Sequence, residues 1–355
     1  MVTVISAVLV FGFLIFIHEF GHFITARLFK VTVNEFAIGM GPKLVSWQSK
    51  KSGTKYSIRA LPIGGYVSMV GEDGENAIEE GDGFVGDPNG FDRKPAWQRF
   101  IITVAGAAVN LLFGFIAMFI LTAMIRIGGT TIHSFMPSET TGFEISTESS
   151  GLMVGDEIVA INGKRVSIID ELYYEVNRQG IAPVDVTVVR EGSVIVIPDV
   201  IFPSMESGGE LLGMVDFVIY AKQKNFSNFF DYAFGKSFLM VRMVFESIAD
   251  LITGRYSLGA ISGPVGISSA IGEATKKGFP MLLNIVVMIS INLGIMNLLP
   301  IPALDGGRML TILVEMVTRK RLPPKVEGIV NGVGLILLVL LSLIVMVKDV
   351  IGLII

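Results

Sequence analysis

Near its N-terminus the chain reads Phe11-Gly12-Phe13-Leu14-Ile15-Phe16-Ile17-His18-Glu19-Phe20-Gly21-His22, an apolar run that ends in three ionisable side chains. A helix needs about 20 apolar residues to cross the roughly 30 Å hydrocarbon core of a bilayer. Met1–Ile17 is long enough only if the helix continues through the motif to about Phe29. A signal peptide is the alternative, but the run has no basic n-region and no small-residue cleavage site. We therefore expect a first transmembrane helix that carries the motif.

The rest of the chain also points to a bilayer. Of its 355 residues, 51% are hydrophobic and 17% are charged, which is more apolar than a typical soluble domain. Three further uncharged runs are Phe100–Ile125, Gly278–Leu304 and Gly328–Val347. The sequence thus predicts a polytopic α-helical membrane protein with four transmembrane helices.

Composition also excludes some classes of protein. The net charge is −4 and no segment combines a basic stripe with interleaved aromatic residues, so we expect no nucleic-acid partner. The chain has no cysteine, which excludes thiolate ligands. Any metal must therefore be held by histidine and carboxylate side chains.

Between the apolar runs the patterns change. Val31–Val70 alternates and contains turn glycines, which predicts β structure, and Gly71–Gly90 is acidic and predicts a mobile surface loop. The turn-rich segment Gly151–Val166 and the alternating segments after it predict a small β-rich domain. Phe226–Leu251 is apolar but carries charged residues, so an amphipathic helix on the membrane surface is favoured over a fifth span.

The expected organisation follows from these segments. It comprises a first transmembrane helix (1–30), a cytoplasmic-side β region with an acidic loop (31–98), a second transmembrane helix (99–127), a β-rich extracytoplasmic domain (128–222), an amphipathic membrane-surface segment (223–277), a third transmembrane helix (278–305), a cytoplasmic loop (306–327) and a fourth transmembrane helix (328–355).

Basic residues in the short loops predict the orientation. Lysines and arginines are concentrated between spans one and two and between spans three and four, and such loops favour the cytoplasm. Both termini and the β-rich domain are then extracytoplasmic.

The histidine motif predicts a metal site. His18 and His22 are four residues apart, so on a helix their rings project from one face and can bind one Zn²⁺. Glu19 is rotated by about 100° from His18 and is placed to act on water rather than as a ligand. The alternative is a pair of ordinary helix-surface histidines, but ionisable residues within an apolar span by default mark function.

Asp305 is the expected third ligand. In the predicted orientation it lies at the cytoplasmic end of the third span, and the histidines lie in the cytoplasmic part of the first. Two neutral histidines, two carboxylates and Zn²⁺ sum to zero charge, which a low-dielectric site tolerates. Alone, Asp305 could simply terminate a helix, as Leu304-Asp305-Gly306-Gly307 permits.

Several motifs in this order resemble those of the site-2 protease family of intramembrane zinc metalloproteases, in its bacterial PDZ-containing branch, which includes sigma-E-type regulator proteases. They are His18–His22 followed by Ala26, Gly106-Ala107-Ala108-Val109-Asn110, the PDZ-like stretch Gly151–Val166, and Asn297-Leu298-Leu299-Pro300 with Leu304–Gly307. Ala107 stands where the second motif commonly has proline, and only one PDZ-like segment is evident.

The resemblance implies roles and partners. Zn²⁺ would be held by His18, His22 and Asp305, Glu19 would be the general base, and Asn297 would help to hold the substrate. For Asn297 a helix–helix hydrogen bond is an equal alternative, and for Asn110 a packing hydrogen bond is the favoured interpretation. Substrates would be single-span proteins such as anti-sigma factors, or remnant signal peptides, cleaved in the bacterial inner membrane.

Two other functions remain open at the level of sequence. A catalytically silent scaffold would present the PDZ-like domain to partners and would tolerate loss of the metal ligands. A zinc transporter would also place ionisable residues in the membrane, but it needs a relay of sites rather than ligands at one depth.

Overall fold

A computed structural model describes residues 2–72, 87–136, 147–207, 210–255, 262–321 and 323–354. The helices are α1 (Val2–Leu28), α2 (Ala96–Met124), α3 (Ile169–Gln179), α4 (Phe226–Thr253), α5 (Pro264–Lys277), α6 (Phe279–Leu298), α7 (Asp305–Thr318) and α8 (Pro324–Ile354). The strands are β1 (Val33–Gln48), β2 (Lys55–Met69), β3 (Gly128–Phe135), β4 (Glu157–Ile161), β5 (Lys164–Arg165), β6 (Val184–Arg190), β7 (Ser193–Val200), β8 (Ser204–Ser207), β9 (Glu210–Gly213) and β10 (Phe217–Ala221).

Within these residues, four helices are long and apolar enough to cross a membrane. They are Thr3–Leu28, Ala96–Met124, Phe279–Leu298 and Val326–Ile351. Each lies on one of the runs predicted from sequence. The long helix α4 is not among them, because charged residues recur along it (Asp231, Lys236, Arg242, Glu246 and Asp250).

The third span is shorter than predicted, and this corrects the expected boundary at 305. Helix α6 ends at Leu298, and the next residue, Leu299, is extended with φ −66° and ψ 144°. Leu299 precedes Pro300, and a residue before proline is driven out of the helical region by the proline ring. Asp305 therefore begins a new helix, α7, instead of ending the third span, and the expected loop at 306–327 contains that helix.

The predicted β region is a small antiparallel sheet made from two strands that each bend. Glu35 in β1 pairs with both Ser68 and Lys55 of β2, so the first half of β1 lies between the two halves of β2. The bends coincide with Gly39 and Gly64, whose φ angles of 86° and 83° favour glycine. The segment 65–69 is consequently an edge of the sheet. Of the acidic loop expected after it, residues 73–86 lie outside the described residues.

The chain divides into two compact units, Met1–Ala117 with Ser247–Ile355, and Met118–Glu246. The second unit contains a sheet in the order β10-β3-β4-β6-β7, with β5 paired to β4. The turn between β4 and β5 is Asn162-Gly163 with φ of 47° and 75°, values typical of a tight hairpin turn. The sheet packs on α3 through buried apolar side chains that include Ile158, Val186 and Leu172.

An ion pair with a buried carboxylate joins two neighbouring strands of the second unit. Asp156 is 1% exposed, and its two carboxylate oxygens accept hydrogen bonds from Nε and a terminal nitrogen of Arg190 at 2.7 and 2.8 Å. Burial raises the pKa of Asp156, but the hydrogen bonds from Arg190 outweigh it and the net pKa is lowered. This pair fixes the start of β4 against the end of β6.

Candidate metal centre

Two histidines of α1 present their rings to one point. His18 and His22 are 9% and 8% exposed, and their Nε2 atoms lie 3.2 Å apart. The helix makes this possible because residues four apart lie on the same face.

Asp305 reaches the same point from a distant part of the sequence. Its Oδ2 atom lies 3.0 Å from Nε2 of His18 and 3.2 Å from Nε2 of His22. Among the described residues, these three side chains form a group that could hold a metal ion. Asp305 is the first residue of α7, which begins after the break that ends α6 at Leu298.

The turn before α7 is compact, and glycine is needed to close it. A Cβ atom on Gly306 would lie 1.9 Å from the carbonyl oxygen of Leu299. Helix α8 also packs on this turn, because a Cβ on Gly334 would lie 2.5 Å from Cβ of Pro302, and the backbone N–H of Ala303 donates to Oδ1 of Asn331 at 3.3 Å. These contacts hold Asp305 in place.

The three donor atoms fit zinc. Zn–N and Zn–O bonds of about 2.0–2.1 Å in a tetrahedron separate neighbouring ligand atoms by about 3.3 Å; the observed separations are 3.0, 3.2 and 3.2 Å. Three electron-pair donors held this close repel one another unless a cation or a proton lies between them. Two imidazoles and one carboxylate are also a donor set that leaves a coordination position open, as catalytic zinc sites do.

Helix α2 contacts the far sides of both rings. Nδ1 of His22 lies 2.9 Å from the carbonyl oxygen of Ile102, and Nδ1 of His18 lies 3.3 Å from the side-chain amide of Asn110. The sequence interpretation treated Asn110 as a packing residue and did not identify Ile102, because a backbone acceptor leaves no signature in the side-chain pattern.

Glycines bring α1 and α2 together. A Cβ on Gly21 would lie 2.5 Å from the carbonyl oxygen of Ala105, and a Cβ on Gly106 would lie 2.3 Å from Nε2 of His22. Small residues at helix contacts in membranes allow such close approach of backbones. The glycine of the second motif therefore has a steric function at the histidine cluster.

Glu19 lies against the edge of the β1–β2 sheet. The side chain is half-buried, and a Cβ on Gly65 would lie 3.1 Å from Cγ of Glu19. The backbone N–H of Val67 faces the carboxylate as a hydrogen-bond donor. The edge segment 65–69 thus runs beside the acid of the motif.

A polar cluster on the sheet holds this edge. Glu35 accepts hydrogen bonds from Oγ of Ser57 at 2.6 Å and from Arg59 at 3.0 Å, and Arg59 also donates to the hydroxyl oxygen of Tyr66. Burial raises the pKa of Glu35, but the hydrogen bonds from Ser57 and Arg59 dominate and lower that pKa to about 2. Tyr66 is therefore fixed beside Gly65 by a charged network.

Asn297 makes none of these contacts. It is half-buried in the last turn of α6, and the contacts of the described residues connect it to none of the side chains of the metal centre. Helix α6 instead contacts α2 through Ser290, whose hydroxyl donates to the backbone carbonyl of Asn110 at 2.8 Å.

Two buried histidines on a helix apolar enough to cross a membrane, with Asp305 beside them and Glu19 next to His18, form the arrangement expected of a membrane metallopeptidase. The chain belongs to peptidase family M50, whose model matches residues 6–341. The resemblance to the site-2 protease family is thereby confirmed.

Individual relatives agree along their whole lengths. The chain is 34% identical to a protein of Clostridium acetobutylicum that is provisionally named a zinc metalloprotease. The alignment covers 98% of this chain and 97% of the relative. It is 30% identical to the zinc metalloprotease RasP of Geobacillus kaustophilus, with 98% and 97% covered. It is 28% identical to the regulator of sigma-W protease RasP of Bacillus subtilis, with 98% of each covered. The protein is a membrane zinc metalloprotease.

Proposed function

We propose that the protein cleaves peptide bonds within or near the transmembrane helices of single-span substrates, with zinc held by His18, His22 and Asp305 and with Glu19 as general base. The observation that carries the proposal is the convergence of the two Nε2 atoms and Oδ2 of Asp305 within 3.2 Å of one another. The cluster lies among apolar helices, so the scissile bond must also reach membrane depth.

Glu19 is the group placed to move protons. When bound, zinc supplies a Lewis acid that polarises the scissile carbonyl and lowers the pKa of water. Glu19 would take a proton from the attacking water and return it to the leaving amine nitrogen, which is the work of a general base and then a general acid. Its position beside the sheet edge, rather than among the three converging atoms, suits this role better than ligation.

The sheet edge offers a place for the substrate backbone. A substrate helix hides its peptide groups in internal hydrogen bonds and must unwind before attack. Segment 65–69 lies beside Glu19 and could pair with the unwound strand by strand addition, in which main-chain hydrogen bonds provide the affinity. Asn297 would hold the substrate from the end of α6.

The helix break at Pro300 suits the same purpose. Because α6 ends before Pro300, its last carbonyl groups lack their usual partners four residues further along the helix; the carbonyl oxygen of Met296 accepts instead from the backbone N–H of Leu299 at 3.2 Å. Residues 297 to 305 connect this helix end to Asp305, and this part of the backbone could contact a substrate near the scissile bond.

Localisation follows from charge in the short loops. The segment between α1 and α2 carries basic residues such as Lys43, Lys55 and Arg59, and the segment after α6 carries Arg308, Arg319 and Arg321. By the positive-inside rule both face the cytoplasm of a bacterial inner membrane. The metal centre would then lie toward the cytoplasmic side, and the second unit would be extracytoplasmic.

The second unit would act as a PDZ-like domain. Support comes from the sequence stretch Gly151–Val166 and from a small antiparallel sheet that packs on one helix, α3. Such a domain could bind a substrate C-terminus by strand addition, or it could keep bulky substrates out.

Anti-sigma factors are the substrate class that the relatives favour. The name of the Bacillus subtilis relative is regulator of sigma-W protease, and a membrane-spanning anti-sigma factor is the kind of protein whose cleavage would regulate a sigma factor. Remnant signal peptides, with one short apolar helix, fit the same site.

The test uses a tagged single-span anti-sigma factor, already trimmed to its transmembrane and cytoplasmic parts, co-expressed with the protease. Glu19→Gln should leave the substrate uncut while zinc stays bound. The matched control is Glu191→Gln, the same change at an exposed turn of the second unit, which should cleave normally. Cleavage by Glu19→Gln at the normal rate would remove the proposed role.

A further inference from the structure

Asn110 is a polar side chain buried completely in the middle of α2. It is 0% exposed, and its Nδ2 atom lies 3.3 Å from Nδ1 of His18. Its Oδ1 atom is buried and has no hydrogen-bond partner among the described residues. The contact with His18 is therefore the one that assigns the two ends of this amide.

The chemistry of His18 decides that assignment. If Nε2 of a neutral imidazole gives its lone pair to a metal, the ring proton is on Nδ1 and that atom is a donor. The amide Nδ2 is also a donor, so two donors would face each other. The two ends of an asparagine amide have nearly the same shape and are assigned from their hydrogen bonds. Turning the amide by about 180° pairs Oδ1 with the Nδ1–H of His18.

His22 shows the same arrangement, but its partner is a backbone carbonyl, which has no donor end that could take the place of the oxygen. Nδ1 of His22 lies 2.9 Å from the backbone carbonyl oxygen of Ile102, and a carbonyl oxygen can only accept. His22 is therefore held with its proton on Nδ1 and its Nε2 lone pair toward Asp305. Both acceptors come from α2, which the glycine contact at Gly106 brings against the rings.

We infer that Asn110 is a positioning residue whose Oδ1 accepts the Nδ1 proton of His18 and thereby fixes the tautomer and the ring orientation that zinc binding requires. The inference rests on the proposed ligation of zinc by His18. Metal-bound histidines almost always donate their other ring proton to such an acceptor, and loss of the acceptor typically weakens metal binding by about 10–100-fold.

A packing role for Asn110 is separable from this one. The contact between α2 and α6 uses the backbone carbonyl of Asn110, which accepts from the Ser290 hydroxyl at 2.8 Å. Ser290→Ala removes that contact and leaves the amide in place. Asn284→Leu removes a different asparagine side chain from α6 and serves as the matched control for Asn110→Leu.

The experiment measures zinc affinity of the full-length protein in detergent, by competition with a chromophoric chelator, beside the melting temperature of the metal-free protein. Asn110→Leu should weaken zinc binding by about 10–100-fold. Asn110→Asp should retain it, because a carboxyl group offers an acceptor oxygen in either protonation state. Ser290→Ala and Asn284→Leu should bind zinc like the unaltered protein.

The outcomes separate this inference from the function on which it rests. Normal zinc affinity in Asn110→Leu, or weak binding in Asn110→Asp at an unchanged metal-free melting temperature, would overturn the positioning role. His18→Ala is measured in parallel. If His18→Ala also keeps its zinc, the proposed ligand set fails; if only Asn110→Leu keeps it, the ligand set stands and the inference alone fails.

Discussion

A Cβ atom on Gly106 would lie 2.3 Å from Nε2 of His22. The backbone of α2 therefore packs directly against the His22 ring. Nε2 of His22 is also the atom that lies 3.2 Å from Oδ2 of Asp305 and 3.2 Å from Nε2 of His18. The space that glycine leaves on α2 is therefore filled by the Nε2 end of the His22 ring.

Gly106→Ala should displace the His22 ring and weaken zinc binding by at least about tenfold, the size expected when a ligand is misoriented. The measurement is zinc affinity by chelator competition, beside the melting temperature of the metal-free protein. Gly332→Ala is the control, because a Cβ there meets nothing within 4 Å. Unchanged zinc affinity in Gly106→Ala would contradict the contact.

Gly306→Ala should be more severe. Its Cβ would lie 1.9 Å from the carbonyl oxygen of Leu299, and that atom is backbone, so the turn before α7 must move. We expect a loss of about 1–3 kcal/mol in stability from overpacking together with loss of zinc, because Asp305 is the neighbouring residue. Thermal unfolding and zinc content measure the two effects. A variant that melts and binds zinc normally would show that the turn is not tightly closed.

The Glu35 network should give a pH-dependent contribution to stability. The pKa of Glu35 is lowered to about 2 by Ser57 and Arg59, against about 4.3 in an unfolded chain. A lowered carboxyl pKa contributes stability that is complete above the unfolded value and is lost as pH falls through the folded value. The melting temperature of the protein should exceed that of Glu35→Gln at pH 6 to 7, and the difference should shrink progressively below about pH 4.5. A difference that grows toward acid pH would contradict the assignment.

Arg190→Met should destabilise the second unit without affecting zinc. It leaves the Asp156 carboxylate, which is 1% exposed, without its cation, and breaking a buried pair in this way typically costs about 3–5 kcal/mol. The control is Arg165→Met at an exposed position of β5. Denaturant unfolding gives the stability and chelator competition gives the zinc affinity. Zinc affinity should be unchanged, because all three proposed ligands lie outside Met118–Glu246.

The sequence predicted the features that depend on local spacing. His18 and His22 need only helical periodicity, and the bends of the β region follow from glycines such as Gly39 and Gly64. The four spans follow from the length of the uncharged runs. Three arguments connected Asp305 to the histidines. The predicted orientation places them at one depth, their charges sum to zero with Glu19 and Zn²⁺, and the separated motifs resemble those of one family.

Other features depend on contacts between helices and were not predictable from spacing. Pro300 and Pro302 predict a break in the third helix, with a kink as the alternative, but the new helix that begins at Asp305 is not visible in the spacing. The acceptors on α2 are a backbone carbonyl, at Ile102, and one buried amide, at Asn110. Both contact the histidine rings only because Gly21 and Gly106 allow α1 and α2 to approach closely.

We propose that zinc is held jointly by the first span and by the start of α7. Zinc stoichiometry of purified full-length variants tests it most directly. We expect about one zinc per chain in the unaltered protein and in Glu19→Gln. His133→Ala changes the third histidine of the chain, which is exposed on β3, and should also keep its zinc. We expect near-complete loss of zinc in His18→Ala, His22→Ala and Asp305→Ala. Full zinc in a folded Asp305→Ala variant would contradict this ligand set.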